Sequence, residues 1–141
     1  MNDALTIGEE HVRFATPDVV LPLGYRTIAH RFFHHAIPSP YEVEMAIAAI
    51  EDLLQSAPAL RQVAQQASCA DPYLNQIAHI VGSHDRLTQQ QIEEVFNRVA
   101  DVISGSPKRA GEFPDDVGFV SYLVIMRELS HHLNIQQVTL A

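Results

Sequence analysis

Near the C-terminal end of the chain, the segment from Val117 to Met126 is apolar on almost every side of a helical wheel. A helix without a polar face is usually the central one of a fold, because neighbouring elements must cover it on all sides. The alternative is that a second copy of the chain covers one side. In both cases the rest of the sequence must supply packing partners for this helix, and this requirement constrains the fold more than any other feature.

The composition indicates a globular protein, since 47% of the 141 residues are hydrophobic and 18% are charged. A chain of this length is typical of one domain, so we expect a single domain over residues 1–141. The sequence begins without a basic segment followed by an apolar stretch, and no apolar run is long enough to span a membrane. The one cysteine, Cys69, excludes a disulfide framework and is typical of a reducing compartment. We therefore expect a cytoplasmic protein without a membrane association.

The charge balance also excludes a class of partner. Seventeen acidic residues stand against nine basic ones, which gives a formal net charge of −8 with histidine neutral. Binding to nucleic acid depends on many contacts between basic side chains and phosphates, so this surplus of acid argues against it.

Local signals predict mostly helix between residues 25 and 133. Ser39 with Glu42, and Thr88 with Gln91, have the spacing of capping boxes, in which two side chains each accept from a free amide at a helix start. Asp71 precedes a proline, and Asp115 or Asp116 precedes the last helix, so these aspartates are expected caps. Together with the apolar residues that recur at helical spacing, these signals predict helices at about 25–36, 40–56, 58–67, 72–82, 89–103 and 117–133.

The two ends of the chain show weaker extended patterns. Residues 11–15 and 19–22 flank a turn at 16–18 that contains Pro17, and residues 135–140 alternate between apolar and polar side chains. Residues 1–24 are therefore expected to be irregular or extended, and residues 134–141 to form an extended tail. The sequence as a whole predicts a mainly α fold, a single-domain bundle of five or six helices with a central apolar C-terminal helix. The chain ends are candidates for a small β element.

Histidines and carboxylates give the candidate metal ligands. His30 and His34 are four residues apart, which on a helix puts two imidazoles on one face. The alternative is an exposed polar face, since both lie opposite the apolar side of that helix. Glu128 and His132 form a second candidate cluster, near the end of the last expected helix. The alternative interpretation is that histidines in the last turn of this helix donate hydrogen bonds to its free carbonyl groups.

The third cluster is the dipeptide His84-Asp85, between two expected helices. It resembles the adjacent His and Asp of the HD phosphohydrolases, which bind a metal together with an earlier His and a later Asp. The resemblance covers these two residues and implies His30 or His34, and Asp101 or Asp116, as outer ligands. The six metal candidates are thus His30, His34, His84, Asp85, Glu128 and His132.

Two functions follow from these observations. The first is a non-enzymatic interaction or regulatory module that acts through self-association or a protein partner and needs no cofactor. It is favoured because none of the clusters completes a catalytic set, and no catalytic residue is assigned. The alternative is a metal-dependent hydrolase or metal-binding regulator, for which imidazole and carboxylate ligands suit Zn, Mn or Fe.

Overall fold

The computed structural model describes residues 3–141, so residues 1 and 2 of the expected N-terminal segment lie outside it. Five α-helices are present in the described range: α1 (Tyr25–Phe32), α2 (Pro40–Gln55), α3 (Pro72–Ile80), α4 (Gln89–Ile103) and α5 (Val117–His132), with a 3-10 helix at Pro58–Gln62. The strands are β1 (Asp3–Ile7), β2 (Val12–Phe14), β3 (Val19–Leu21), β4 (Gln66–Cys69), β5 (Arg86–Thr88) and β6 (Gln137–Leu140).

All six strands join one mixed sheet in the order β3-β2-β1-β4-β6-β5. β1, β4 and β6 are parallel, whereas β2, β3 and β5 pair antiparallel with their neighbours. The prediction of a mainly α bundle is therefore wrong, and the fold is α/β. The chain ends do join a sheet, but β4 lies between β1 and β6, so the two ends do not pair directly.

The strand β4 explains most of this error. Its sequence, Gln66 to Cys69, is short and lacks the β-branched and large aromatic residues that favour strands. Ala67 and Cys69 are buried and alternate with more exposed neighbours. Tertiary pairing with β1 on one side and β6 on the other makes this segment extended, and the expected helix over 58–67 is reduced to one 3-10 turn.

The expectation of a central C-terminal helix is confirmed. Nearly all of α5 from Phe119 to Ser130 is buried, and it packs against α1, α2, α3 and α4 and against β1. The capping boxes at Ser39 and Thr88 and the cap at Asp116 are present as expected. No helix within residues 3–141 is long and apolar enough to cross a membrane.

Candidate functional site

The parallel neighbours β1 and β4 end at the same edge of the sheet. After β1 the chain turns to β2 on one side, and after β4 it continues through α3, β5, α4 and α5 to β6 on the other side. Ligands of α/β proteins commonly bind beyond the carboxyl ends of strands where the connections diverge in this way. A ligand site is therefore expected at this edge of the sheet.

Two neighbouring cavities lie at this edge and together form what we call the cleft. One, of about 430 Å³, is lined by residues that include Gly8 and Asp71. The other, of about 410 Å³, is lined by residues that include Glu9 and His30. Both cavities share Tyr25, Tyr73 and Asp116 in their walls.

Asp71 joins three elements at the base of the cleft. Its Oδ2 accepts hydrogen bonds from the backbone amide of Ile7 at 2.9 Å and from the hydroxyl of Tyr122 at 2.7 Å. The Sγ of Cys69 donates to the same oxygen at 3.1 Å. Asp71 occupies the N-cap position of α3, as expected, but its side chain makes no capping bond there and instead connects β4 with β1 and α5.

Asp116 holds the opposite wall of the cleft at the start of α5. Its Oδ1 accepts from the amide of Gly118 at 2.8 Å, and its Oδ2 accepts from the hydroxyl of Tyr73 at 2.6 Å. A Cβ atom on Gly118 would lie 2.6 Å from that hydroxyl, so a glycine is required for this close approach. The carboxylate is therefore held in one orientation facing the cavity.

Three tyrosine rings line the space between the two aspartates. The centroids of Tyr25 and Tyr73 are 5.1 Å apart, and those of Tyr73 and Tyr122 are 5.5 Å apart. Burial, followed by the hydrogen bond to Asp116, raises the pKa of the Tyr73 hydroxyl above its usual range. Burial also raises the pKa of Tyr122 well above that range, with further contributions from Cys69 and Asp71. Both hydroxyls consequently remain protonated and serve as hydrogen-bond donors to carboxylates.

The turn between β1 and β2 forms the rim of the cleft and is bound to the start of α1. The Gly8 carbonyl accepts from the amide of Tyr25, and the Glu9 carbonyl accepts from the amides of Arg26 and Thr27. A Cβ atom on Gly24 would lie 2.3 Å from the backbone of Glu9, so only glycine allows this contact. The first amides of α1 are therefore occupied by the turn.

The cleft is acidic. Glu9, Asp71 and Asp116 contribute carboxylates to its walls. Among the described residues that line it, Arg26 alone carries a permanent positive charge, and its guanidinium lies 3.4 Å from the Glu9 carboxylate. An anionic ligand would therefore need a cation to offset the charge of these side chains.

The structure places one member of the predicted His30–His34 pair at the cleft. His30 lines one cavity and is exposed. α1 ends at Phe32, so His34 lies beyond the helix and the helical spacing assumed for the pair does not apply. The amide of His34 donates to Glu42 at 3.0 Å.

The other candidates lie elsewhere. His84 and Asp85 are exposed in the turn between α3 and β5. Glu128 and His132 lie near the C-terminal end of α5, where Glu51 of α2 joins them. The metal predictions for all six residues stay predictions.

Sequence reasoning overlooked the cleft because it overlooked β1 and β4. The sequence indicates Asp71 and Asp116 as helix caps and Tyr122 as part of an apolar helix, and it gives no separate signal for Tyr73. A carboxylate shortly after the end of a strand signals a site at a sheet edge, but this signal is visible only once β4 is recognised as a strand.

No protein-family model and no curated protein matches this sequence. Solved structures do match its fold. The chain is similar to the Aquifex aeolicus PPX-GPPA enzyme, with a TM-score of 0.76 and 15% identity over 99% of this chain and 52% of that one. It is similar to the type II variant of the Aquifex aeolicus Ppx/GppA phosphatase, with a TM-score of 0.73 and 14% identity over 99% and 52% of the two chains. An exopolyphosphatase-like protein has a TM-score of 0.72 and 13% identity over 99% and 55%.

These similarities concern the fold, and the chain spans about half the length of the solved structures. They overturn the interpretation of the chain as a helical interaction module. That interpretation depended on the pattern of the expected helices and on the lack of a complete catalytic set in the sequence. The observed fold is α/β and is the one found in solved phosphatase structures.

Proposed function

We propose that the cleft binds phosphorylated compounds and hydrolyses a phosphate ester or anhydride. The observation that carries this proposal is the position of the acidic cleft, at the diverging ends of β1 and β4, in a fold that matches Ppx/GppA structures over 99% of this chain. The proposal retains the hydrolase alternative that the histidines and carboxylates of the sequence suggest, but moves its reacting groups to the cleft.

Asp116 is the group best held for such a reaction. Its two oxygens each accept one hydrogen bond, from Gly118 and Tyr73, and each keeps a further lone pair. A water bound to this carboxylate would transfer a proton to it while the water oxygen forms a bond to phosphorus. The bond from phosphorus to the leaving oxygen breaks in the same reaction, and that oxygen takes a proton from solvent.

A substrate would enter together with a divalent cation. Phosphoryl groups are anionic and so are the side chains of Glu9, Asp71 and Asp116, which would repel a bare phosphate. Mg²⁺ and Mn²⁺ prefer oxygen ligands and are commonly bound by carboxylates together with substrate phosphates. Activity should accordingly depend on such an ion.

The activity is tested by measuring phosphate release from inorganic polyphosphate, a nucleoside triphosphate and p-nitrophenyl phosphate, with Mg²⁺, with Mn²⁺ and with EDTA. Asp116→Asn should lower kcat by roughly 100-fold or more, since a positioned base contributes about that factor. Asp115→Asn is the matched control, because Asp115 is the adjacent aspartate but pairs with Lys108 instead of the cleft tyrosine.

Binding is measured separately by recording amide NMR spectra during titration with polyphosphate and Mg²⁺. Shifts confined to Gly8, Glu9, Tyr73 and Gly118, together with phosphate release that Asp116→Asn removes, support the proposal. Absence of both release and shifts at these amides overturns it.

Homo-oligomerisation, expected from the sequence, stays a prediction, and sedimentation of the same samples at tens of micromolar tests it.

A further inference from the structure

A second cluster of chemically active side chains lies at the far end of α5. This helix has 16 residues, and Glu128 and His132 lie roughly 9 and 15 Å further along its axis than Tyr122, which lines the cleft, at about 1.5 Å per residue. Glu128 and His132 project from its last turns toward Glu51 of α2. One ligand atom from each of the three residues lies within 4.8 Å of the other two.

The imidazole of His132 lies between two carboxylates. Its Nε2 is 3.2 Å from Oε1 of Glu128 and 3.6 Å from Oε2 of Glu51. A single N–H can donate a good hydrogen bond to one of these oxygens, and 3.6 Å is too long for a second. A proton on this nitrogen therefore satisfies Glu128 and leaves Glu51 without a hydrogen bond from it.

The same distances suit a metal ion. Zinc binds imidazole nitrogen and carboxylate oxygen at about 2.0–2.2 Å, which places adjacent ligand atoms roughly 3.0–3.6 Å apart in tetrahedral or octahedral geometry. An ion in contact with Nε2 of His132 would therefore reach the Glu128 and Glu51 oxygens with only a small side-chain rotation. One ion would satisfy both carboxylates, which one proton does not.

The charges around the cluster favour a cation. Glu128 is 1% exposed, and its second oxygen accepts from Arg127 at 2.5 Å. Arg127 is shared with Glu93, to which its Nε donates at 2.8 Å. Arg61 is a second cation in the neighbourhood, since it lines a cavity together with His132. With His132 neutral, the three carboxylates of Glu51, Glu93 and Glu128 still outnumber these two guanidinium groups.

The surroundings also have the features of a metal site. Ligating carboxylates are commonly oriented by hydrogen bonds from residues that do not touch the metal, and Arg127 plays this part for Glu128. The side chains of Glu51 and His132 are 37% and 32% exposed, so an ion can reach them from solvent. His132 also lines a cavity of about 160 Å³ beside Leu133.

We infer that Glu51, Glu128 and His132 bind a divalent transition metal ion that fastens α2 to the C-terminal end of α5. One imidazole with two carboxylates suits Zn²⁺, Mn²⁺ or Fe²⁺. The site is separate from the cleft and does not depend on the proposed hydrolase activity. Of the six candidates from the sequence, it uses Glu128 and His132 and adds Glu51.

The test measures metal binding to untagged, EDTA-treated full-length protein by equilibrium dialysis against Zn²⁺, Mn²⁺ or Fe²⁺ and elemental analysis. We expect about one ion per chain for at least one of the metals. Glu51→Gln and His132→Gln should each weaken its binding by at least about tenfold, a loss typical of disturbed metal sites. Glu128→Gln is avoided as the first variant because Glu128 is buried against Arg127 and the change could prevent folding.

Two controls separate the site from surface binding. His84→Gln removes an exposed histidine outside the cluster, and Glu44→Gln removes an exposed glutamate two helical turns before Glu51 on α2. Neither control should change the affinity. A second readout is the melting temperature, which the metal should raise in the parent protein and in both controls but not in Glu51→Gln.

The proposal is overturned if none of the three metals binds, or if binding to Glu51→Gln and His132→Gln equals that of the parent. A role of His132 limited to the helix end makes a different prediction. His132→Gln would then lower stability without metal, whereas Glu51→Gln would change neither stability nor metal content.

Discussion

The hydroxyl of Tyr122, in the middle of α5, donates a hydrogen bond of 2.7 Å to Oδ2 of Asp71, two residues after the end of β4. Tyr122 is fully buried, and Asp71 is 9% exposed. The bond connects the central helix to the sheet at the base of the cleft. Because the same oxygen also accepts from the amide of Ile7, it joins β1, β4 and α5 at one point.

Replacing this donor should destabilise the fold. Tyr122→Phe keeps the buried ring but removes one of the three donors to Oδ2 of Asp71. A hydrogen bond to a charged group contributes about 1.5–3 kcal/mol. We expect the free energy of unfolding in urea to fall by about this amount. Tyr41→Phe is the control, since Tyr41 is 68% exposed and such surface changes stay within about 0.5 kcal/mol. Equal stability of the two variants would show that the Tyr122 bond contributes little.

The thiol of Cys69 should be unreactive in the folded protein. Burial, with the nearby Asp71 carboxylate, raises its pKa to about 12. Since the thiolate is the reacting form, modification by Ellman's reagent at pH 8 should be on the order of 100-fold slower in the native protein than in urea. Cys69 is a free cysteine and is buried, in agreement with this protection.

A shifted cysteine provides the control for that measurement. In the variant with Ser68→Cys and Cys69→Ala, the thiol moves by one residue along β4 and so to the other face of the sheet. It should react clearly faster than Cys69 does. If both thiols react at the rate of the unfolded chain, the protection assigned to this environment is wrong.

The features that the sequence predicts well are local. The caps at Ser39 and Thr88 depend on residues three positions apart, and the central position of α5 follows from its own apolar residues. β4 behaves differently, because its four residues are polar or small and become a strand only through pairing with β1 and β6. Those partners lie more than sixty residues away along the chain, so no local pattern indicates them.

The candidate site was out of reach for the same reason. Asp71 and Asp116 each have a local interpretation as a helix cap, and for Asp116 that interpretation is correct. Their common position in the cleft follows from the parallel pairing of β1 with β4 and from the burial of α5 beside them. Glu128 and His132 could be identified from the sequence because residues four apart on one helix lie on the same face. Glu51 belongs to a different helix, so no local spacing connects it to them.

Glu42 should make stability depend on pH in the acid range. The amides of Ser39 and His34 donate to its carboxylate at 2.9 and 3.0 Å and lower its pKa to about 2. A carboxylate whose pKa is lower in the folded protein stabilises it fully above the unfolded value of about 4.3, and this contribution is lost as the pH falls toward the folded value. Glu42→Gln should therefore melt below the parent at pH 7, and the gap should close between about pH 4.5 and 2.

The neighbouring Glu44 is the control for this pH dependence. It is exposed on the same helix, two residues further on. Glu44→Gln should melt close to the parent at pH 7 and at pH 3. A gap between Glu42→Gln and the parent that keeps the same size from pH 7 to pH 2 would contradict the role given to the ionised carboxylate.

The close contact between Gly24 and the turn after β1 gives the last prediction. A Cβ atom at Gly24 would lie 2.3 Å from the carbonyl carbon of Glu9, and backbone atoms cannot move aside as a flexible side chain does. Gly24→Ala should therefore push the turn away from α1, break bonds such as that from the Tyr25 amide to the Gly8 carbonyl, and lower the free energy of unfolding by about 1–3 kcal/mol. Gly82→Asn is the control, because no atom lies within 4 Å of a Cβ there and asparagine tolerates its φ of +71°. Urea unfolding compares the stability of the two variants. Amide hydrogen exchange at Tyr25 and Arg26 should be faster in Gly24→Ala and unchanged in Gly82→Asn. Unchanged exchange in Gly24→Ala would mean that the contact between the turn and α1 does not require a glycine at position 24.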